Sequence, residues 1–312
     1  MGSPSKSTGL IAAAVSFISF GTSGAFVKPL LEAGWSPAAA VTARAFTAGL
    51  VLLPFVIFLM RGRWALLWQA RWPVLGMGLV GVAITQVLYF AAIQRIPVAT
   101  ALLIEFLAPL LLVGFTWAVS RRTPAPVVLV GSVLAVGGLV LVIGPGAIQA
   151  VDPIGLAAAF GAAIGCSVYF VIAARPNNGL PPVALAGAGL LVAVPVLALV
   201  GATGLLPFTA TFGDVPLFGT PTAWWVPLLV VAVAGTALAY ASGITASGIL
   251  GSRLASFIAL LEVVSASLFA WLLLGEGLAP LQLLGGLLIL GGIASVRAER
   301  QKVEPVAEPA LV

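Results

Sequence analysis

Residues 115–138 read FTWAVSRRTPAPVVLVGSVLAVGG, and residues 269–292 read FAWLLLGEGLAPLQLLGGLLILGG. At an offset of 154 positions they align without a gap, pairing Phe115/Phe269, Trp117/Trp271, Pro126/Pro280, Gly131/Gly285, Gly137/Gly291 and Gly138/Gly292. The correspondence reaches back to Pro73/Pro227, Gly81/Gly235 and Ala83/Ala237. Further upstream an offset of 146 fits better, through Gly9/Gly155, Leu10/Leu156, Ala12/Ala158 and Ala13/Ala159. Composition alone supplies some Gly, Ala and Leu coincidences, but Trp and Pro matches are harder to obtain by chance. The chain therefore contains one segment twice, and the nature of that segment decides the fold.

The segment is built for a membrane. Only 7% of the 312 residues are charged and 61% are hydrophobic, with a mean hydropathy of +1.20. A soluble domain carries roughly 25% charge, so a soluble globular protein, a nucleic-acid binder and a disordered chain are excluded. The net charge is +5, which in so apolar a chain is a topology signal. Spans of about 20 apolar residues lie at roughly 9–29, 37–59, 73–94, 98–119, 125–144, 154–174, 182–201, 225–245, 252–274 and 280–296. The first is too long for a cleaved leader, and only Lys6 precedes it. The segment from Arg297 is polar and is expected to be a disordered tail. One long connection, 202–224, carries Pro207, Pro216 and Pro221 and absorbs the change of offset.

Five spans per copy is an odd number, so the second copy enters the membrane from the opposite side. The sequence thus predicts an all-α membrane protein of ten transmembrane helices, arranged as two inverted five-helix repeats. The first repeat occupies 9–146 and the second 154–296, flanked by tails 1–8 and 297–312. With the N-terminus in the cytoplasm, the inner segments hold Lys6, Arg61, Arg63, Arg71, Arg121, Arg122, Arg175, Arg253, Arg297, Arg300 and Lys302. The outer segments hold only Lys28 and Arg95. The excess of Lys and Arg places both termini in the cytoplasm. Two near-equivalent halves about a pseudo-two-fold axis in the membrane plane are the architecture of secondary transporters.

Ionisable groups at membrane depth are costly and usually face a cavity or a partner. Three qualify: Arg44, Glu105 and Glu262. Arg44 and Glu105 each lie seven residues into a span that runs inward, roughly 10 Å below its outer end. They are expected to pair, or to line the outer half of a cavity together. Arg44 suits a carboxylate by forked hydrogen bonds, and Glu105 suits an ammonium. Glu262, near the middle of the ninth span, reads as a cavity-lining acid, a proton-coupling site, or a carboxyl bonded to a neighbouring helix. The acids break the repeat, because Glu105 matches Ala259 and Glu262 matches Ala108. Gln86, Tyr89 and Tyr240 are further cavity candidates, and Tyr240 is the repeat partner of Gln86. Ser19, Ser23, Tyr169 and Thr245 complete the set, with Ser and Thr equally able to serve as interhelical hydrogen-bonding groups. Cys166 reads as a small buried residue. Trp117, Trp271, Trp64, Trp68, Trp72, Trp224 and Trp225 read as interfacial anchors, and Trp35 as a cap on an outer vestibule. Pro109 should kink the fourth span just beyond Glu105.

The paired five-helix units, the echo of GSVLAVGG (131–138) in GGLLILGG (285–292), and Leu274-Gly275-Glu276 before the last span resemble the drug/metabolite transporter superfamily, in its EamA-domain branch. Within it the chain looks most like bacterial YddG-type exporters of aromatic and other amino acids. The first copy departs from the Leu-Gly-Glu pattern with Ser120-Arg121-Arg122. The resemblance implies export of amino acids or related metabolites across a bacterial inner membrane, by alternating access. Other solute classes (drug, sugar, nucleotide-type metabolite) remain open from the residues alone, as does a non-transport membrane enzyme or scaffold. There is no phosphate-binding G-x-x-x-x-G-K-[ST] loop and no His, hence no site for ATP hydrolysis and no His-based catalysis or metal site. No enzymatic activity, cofactor or metal is expected. The partners expected are a small-molecule substrate and the lipid bilayer, not nucleic acid, and a monomer is compatible with this reading.

Overall fold

The computed structural model describes residues 5–96, 98–121, 123–144, 152–175, 179–275 and 279–302. Arg122, Glu276 and the segment after Lys302 lie outside them. The first apolar run forms α1 (Lys6–Glu32), and α2 (Pro37–Leu59) follows. Ser36 starts α2 by accepting from the Ala39 N–H, with Pro37 at the first helical position, where its missing donor costs nothing. A short α3 (Trp64–Gln69) leads into α4 (Arg71–Ile93). The fourth run is split into α5 (Val98–Glu105) and α6 (Ala108–Ser120), and α7 (Pro126–Ile143) ends the first half. The second half comprises α8 (Pro153–Ala173), α9 (Pro182–Ala202), β1 (Asp214–Leu217), β2 (Thr220–Ala223) and α10 (Trp225–Leu250). It ends with α11 (Ser252–Ala259), α12 (Leu261–Leu274) and α13 (Pro280–Lys302). Among the described residues, nine helical stretches are long and apolar enough to cross a membrane, and α7 is a shorter apolar helix. The molecule is a helical, multi-pass membrane protein.

Backbone irregularities recur at the repeat offset. Met77–Ile84 in α4 and Val233–Leu238 in α10 are both π-helical, wound one residue wider than an α-helix. The fourth run breaks at Phe106–Leu107 and the ninth at Leu260. The kink expected at Pro109 therefore falls slightly upstream, with Pro109 at the start of α6. The ninth run breaks at the matching place with Val263 where the first copy has Pro109. Proline is therefore not the common cause. Both breaks contain i→i−3 bonds, Leu107 N–H to Ile104 O (3.0 Å) and Leu260 N–H to Phe257 O (3.2 Å), which tighten one turn before the helix resumes. Pro29, Pro54 and Pro195 lie inside α1, α2 and α9 without ending them. The helix ends match as well: Arg121 after α6 and Gly275 after α12 both take left-handed conformations, φ 56° and 71°.

The repeat glycines form the α7–α13 contact. A Cβ at Gly131 would meet Gly292 O at 2.8 Å, and one at Gly138 would meet Gly285 O at 2.5 Å. The early glycine of each helix faces the late glycine of the other, so the two helices run antiparallel at backbone contact distance. Elsewhere α1 packs along α10 and α12, α4 along α8, and α2 along α9. Helix α13 continues past Arg297 to Lys302, where the sequence suggests a tail has begun.

The 202–224 connection holds an antiparallel hairpin, pairing Asp214 with Ala223 and Pro216 with Pro221. Phe218 and Gly219 turn it with φ 50° and 81°. Ser36 N–H donates to Thr209 O at 2.9 Å, and Thr209 N–H donates to Ser36 Oγ at 3.0 Å. Trp35 Nε1–H donates to Thr211 O at 2.6 Å. Trp35 is buried and stacks with Trp224 at 5.7 Å. Trp224 thus belongs to a packed cluster with Leu30, Val215 and Leu228 rather than to an interface belt. Trp35 pins this strap to the α1–α2 corner. Trp64, Trp68, Trp72, Trp117, Trp225 and Trp271 are all exposed.

A candidate substrate cavity

A cavity of about 250 Å³ lies between α1, α2, α4, α5, α8, α10 and the α11–α12 break. Helix breaks and π turns position its polar groups. Glu105 is the last residue of α5 and Glu262 lies in the first turn of α12, so each carboxylate sits beside a broken helix. Arg44 projects from α2, and Gln86 and Tyr89 come from the turn of α4 after its π segment. Tyr169 from α8 and Tyr240 from α10 meet edge-to-face at 5.7 Å, and Phe20 packs on Tyr240 at 5.2 Å. Glycine makes room for these rings: Gly81 faces the Tyr169 backbone, and a Cβ at Gly243 would lie 2.8 Å from the Tyr169 hydroxyl.

Of the residues proposed from sequence, Arg44, Gln86, Tyr89, Glu105, Tyr169, Tyr240, Glu262 and Ser23 all line this cavity. Ser19 and Thr245 do not. Ser19 is buried in α1, and the Thr245 hydroxyl donates to Ala241 O of its own helix at 2.7 Å. Hydroxyls of α1 also tie it to the π-distorted α10, where widened turns free carbonyls. Ser16 Oγ donates to Ala239 O (2.9 Å) and Ser23 Oγ to Gly235 O (3.3 Å). Ser23 therefore serves packing as well as lining.

Arg44 forms no ion pair within 4 Å with Glu105 or Glu262 among the described residues, whereas Arg95 and Asp152 approach to 3.7 Å. Of the two expectations for Arg44 and Glu105, the arrangement matches shared lining of one cavity rather than direct pairing. Glu262 likewise makes no hydrogen bond to a neighbouring helix among the described residues. One cation and two carboxyls thus face common space that is walled by aromatic rings.

Several lining residues escaped the sequence reading. Cys166, expected to be a small buried residue, is half-buried in the cavity wall. Ser247 lines the cavity with its Oγ buried and lacking a hydrogen-bond partner among the described residues. Phe17, Phe106 and Phe170 add apolar wall. Nothing in the sequence separates these from ordinary helix packing, because Phe and Cys are common on buried faces and Ser at the interfaces of membrane helices. Between the matching helices around the cavity the packing is unequal. Helix α11 touches α6 and α8, and α10 touches α8. The matching contacts of α5 with α12 or α1, and of α4 with α1, are not developed to a comparable extent among the described residues.

Comparison with known proteins gives these features a family. The model of the EamA-like transporter family matches twice, at residues 7–144 and 153–298. The threonine/homoserine exporter RhtA of Escherichia coli (strain K12) is 30% identical over 240 residues, covering 75% of this chain and 74% of that protein. The uncharacterized inner membrane transporter YicL of Salmonella typhimurium is 26% identical over 311 residues, covering 97% and 98%. One crystal structure matches with a TM-score of 0.72 at 21% identity, covering 95% of this chain and all of that one, a likeness of fold. The chain belongs to the EamA-like transporter family, within the drug/metabolite transporter superfamily.

Proposed function

We propose that the chain is a secondary transporter that exports amino acids, aromatic ones included, across a bacterial inner membrane by alternating access. The observation that carries this reading is the cavity, in which Arg44 and the carboxyls of Glu105 and Glu262 face one space without direct pairing. A zwitterion offers a carboxylate to Arg44 and an ammonium to a glutamate. Tyr89, Tyr169 and Tyr240, with Phe20, give an aromatic side chain surfaces to pack on. The volume, near 250 Å³, lies just under the range of drug-sized pockets and suits a small metabolite. RhtA, a relative named as a threonine/homoserine exporter, adds support for the substrate class.

Support for the mechanism comes from the reciprocal glycine contacts of α7 and α13, which fit two inverted five-helix repeats about an axis through that pair, with the shorter α7 counted as the fifth of ten spans. The distribution of Lys and Arg favours both termini inside. On that orientation the contacts of α11 with α6 and α8 close the cytoplasmic side, and the weaker counterparts around α5 among the described residues leave the outer side open. Exchanging the two sets of contacts between the repeats generates an inward-open form around the same site. The helix breaks at Phe106–Leu107 and Leu260 are the natural hinges.

Flux of a panel of labelled amino acids across proteoliposomes containing the full chain tests the proposal. Saturable, substrate-specific flux is expected. Arg44→Ala and Glu105→Gln should each lower kcat/KM about ten- to a hundredfold, as for loss of one charged hydrogen bond of about 1.5–3 kcal/mol. No flux of any amino acid would sink the substrate assignment. Normal flux in both variants would reduce Arg44 and Glu105 to structural groups.

A further inference from the structure

On the face of α8 turned away from the cavity, a second concavity of about 550 Å³ runs between α4, α6 and α8. We propose that it is a binding site for one anionic phospholipid, with an acyl chain in the groove and the phosphate held by Arg175. Phe160, Ile164, Val168 and Ile172 recur every fourth residue and so form one stripe of α8, faced by Leu111 and Phe115 of α6. From Phe160 to Ile172 is 12 residues, or about 18 Å of helix, close to the roughly 15 Å hydrocarbon depth of one leaflet. Phe115, Phe160 and Ile164 are 60%, 47% and 48% exposed, so among the described residues this part of the groove is uncovered, while Ile172 at its inner end is buried against Gly76 of α4.

The polar end of the groove is cationic and aromatic. Arg175 and Trp72 both line it. Arg175 is exposed, and its guanidinium has no partner among the described residues. Arg71 lies over the rings of Trp68 and Trp72 at 5.3 and 5.6 Å and donates to Trp68 O at 3.0 Å, which fixes a second positive charge against the Trp72 that lines the groove. Tryptophan at a headgroup level with arginine beside it, above an apolar slot one leaflet deep, complements a phosphate joined to an acyl chain. The repeat supplies no second copy of the site. Pro29 stands at the position matching Arg175, and there α1 packs tightly on α12, with Gly21 against Ser265. The groove is a property of one half of the molecule, independent of what the central cavity carries.

The test uses the purified full chain, delipidated in detergent and offered equimolar dioleoyl phosphatidylglycerol and dioleoyl phosphatidylcholine, with bound lipid counted by native mass spectrometry. The wild type should retain the anionic lipid over the zwitterionic one by about fivefold or more in its first bound position, the preference expected from one arginine near a headgroup. Arg175→Gln should lower the ratio at least twofold toward one, Arg71 retaining what preference is left, with the melting temperature in detergent unchanged. Val168→Trp should fill the slot and reduce retention of both lipids. Arg297→Gln, an exposed cation of α13 outside the groove, should behave as wild type. A wild-type ratio near one, an unchanged ratio in Arg175→Gln, or an equal fall in Arg297→Gln overturns the proposal. Should Val168→Trp fail to fold, the Arg175→Gln ratio still decides.

Discussion

Gly137 and Gly138 are neighbours in one helix, yet a methyl group should act on them with opposite sign. A Cβ at Gly138 would lie 2.5 Å from Gly285 O and 2.8 Å from Ile289 N, whereas a Cβ at Gly137 would meet nothing within 4 Å. Carbon needs about 3.5 Å from its neighbours to gain dispersion energy, so α7 must retreat by roughly 1 Å in Gly138→Ala. Overpacking of this kind costs about 1–3 kcal/mol. Gly137→Ala imposes no such movement and replaces a poor helix former by the best one, a gain of up to about 1 kcal/mol. Two variants of identical composition should therefore differ by about 1–4 kcal/mol. Unfolding in mixed micelles with rising dodecyl sulfate, followed by tryptophan fluorescence, measures the difference. The same contrast should recur in the second copy. A Cβ at Gly291 meets only Leu134 at an ordinary 3.9 Å, while one at Gly292 meets Gly131 O at 2.6 Å. Equal midpoints for the two alanines in either helix, or a lower midpoint for Gly137→Ala, would refute the packing account.

Cys166 is the chain's single cysteine, so a small methanethiosulfonate reagent should label the cavity wall selectively, and a transported amino acid should slow the labelling; a rate indifferent to every substrate would argue against a shared cavity. Asp152 accepts from Gly155 N–H at 2.8 Å as the cap of α8 and also faces Arg95. Asp152→Asn should cost less than 1 kcal/mol, because an exposed ion pair contributes little. Asp152→Ala should cost about 1 kcal/mol more for the lost cap, and equal unfolding midpoints would contradict this. Arg121→Gly should raise stability by about 1 kcal/mol, because Arg121 holds φ 56°, which glycine adopts without strain; a fall in the unfolding midpoint would refute this.

The spans were legible because hydrocarbon thickness imposes a length on each apolar run. The cavity was legible because charge is costly inside a membrane: Arg44, Glu105 and Glu262 stood out against an apolar background. The finer backbone was less accessible. The break at Leu260 has no proline or glycine to announce it, and the π segments leave the apolar runs uninterrupted. In the 202–224 connection, Pro216 and Pro221 read as breakers, although an isolated two-stranded hairpin is all edge and tolerates proline. Its turn places Phe218 at positive φ, where Asn or Gly would have signalled a hairpin. Ser19 and Thr245 fall outside the cavity lining, because a hydroxyl stripe looks the same in sequence whether it faces a cavity or packs within the helix bundle.

The strap between α9 and α10 has no counterpart between α2 and α4, where the short α3 stands instead. Its hydrogen bonds from Thr209 and Thr211 to the α1–α2 corner exist on one face of the molecule only. In a carrier that exchanges equivalent contacts between its halves, matched helices alone would leave the two orientations equal in energy. On the proposed alternating-access mechanism, the strap would remove that degeneracy. Each 1.4 kcal/mol by which it favours one orientation changes the ratio of the two populations tenfold. The resting face of such a carrier, and hence the side from which an empty site most often meets its solute, would then depend on a loop outside the cavity lining.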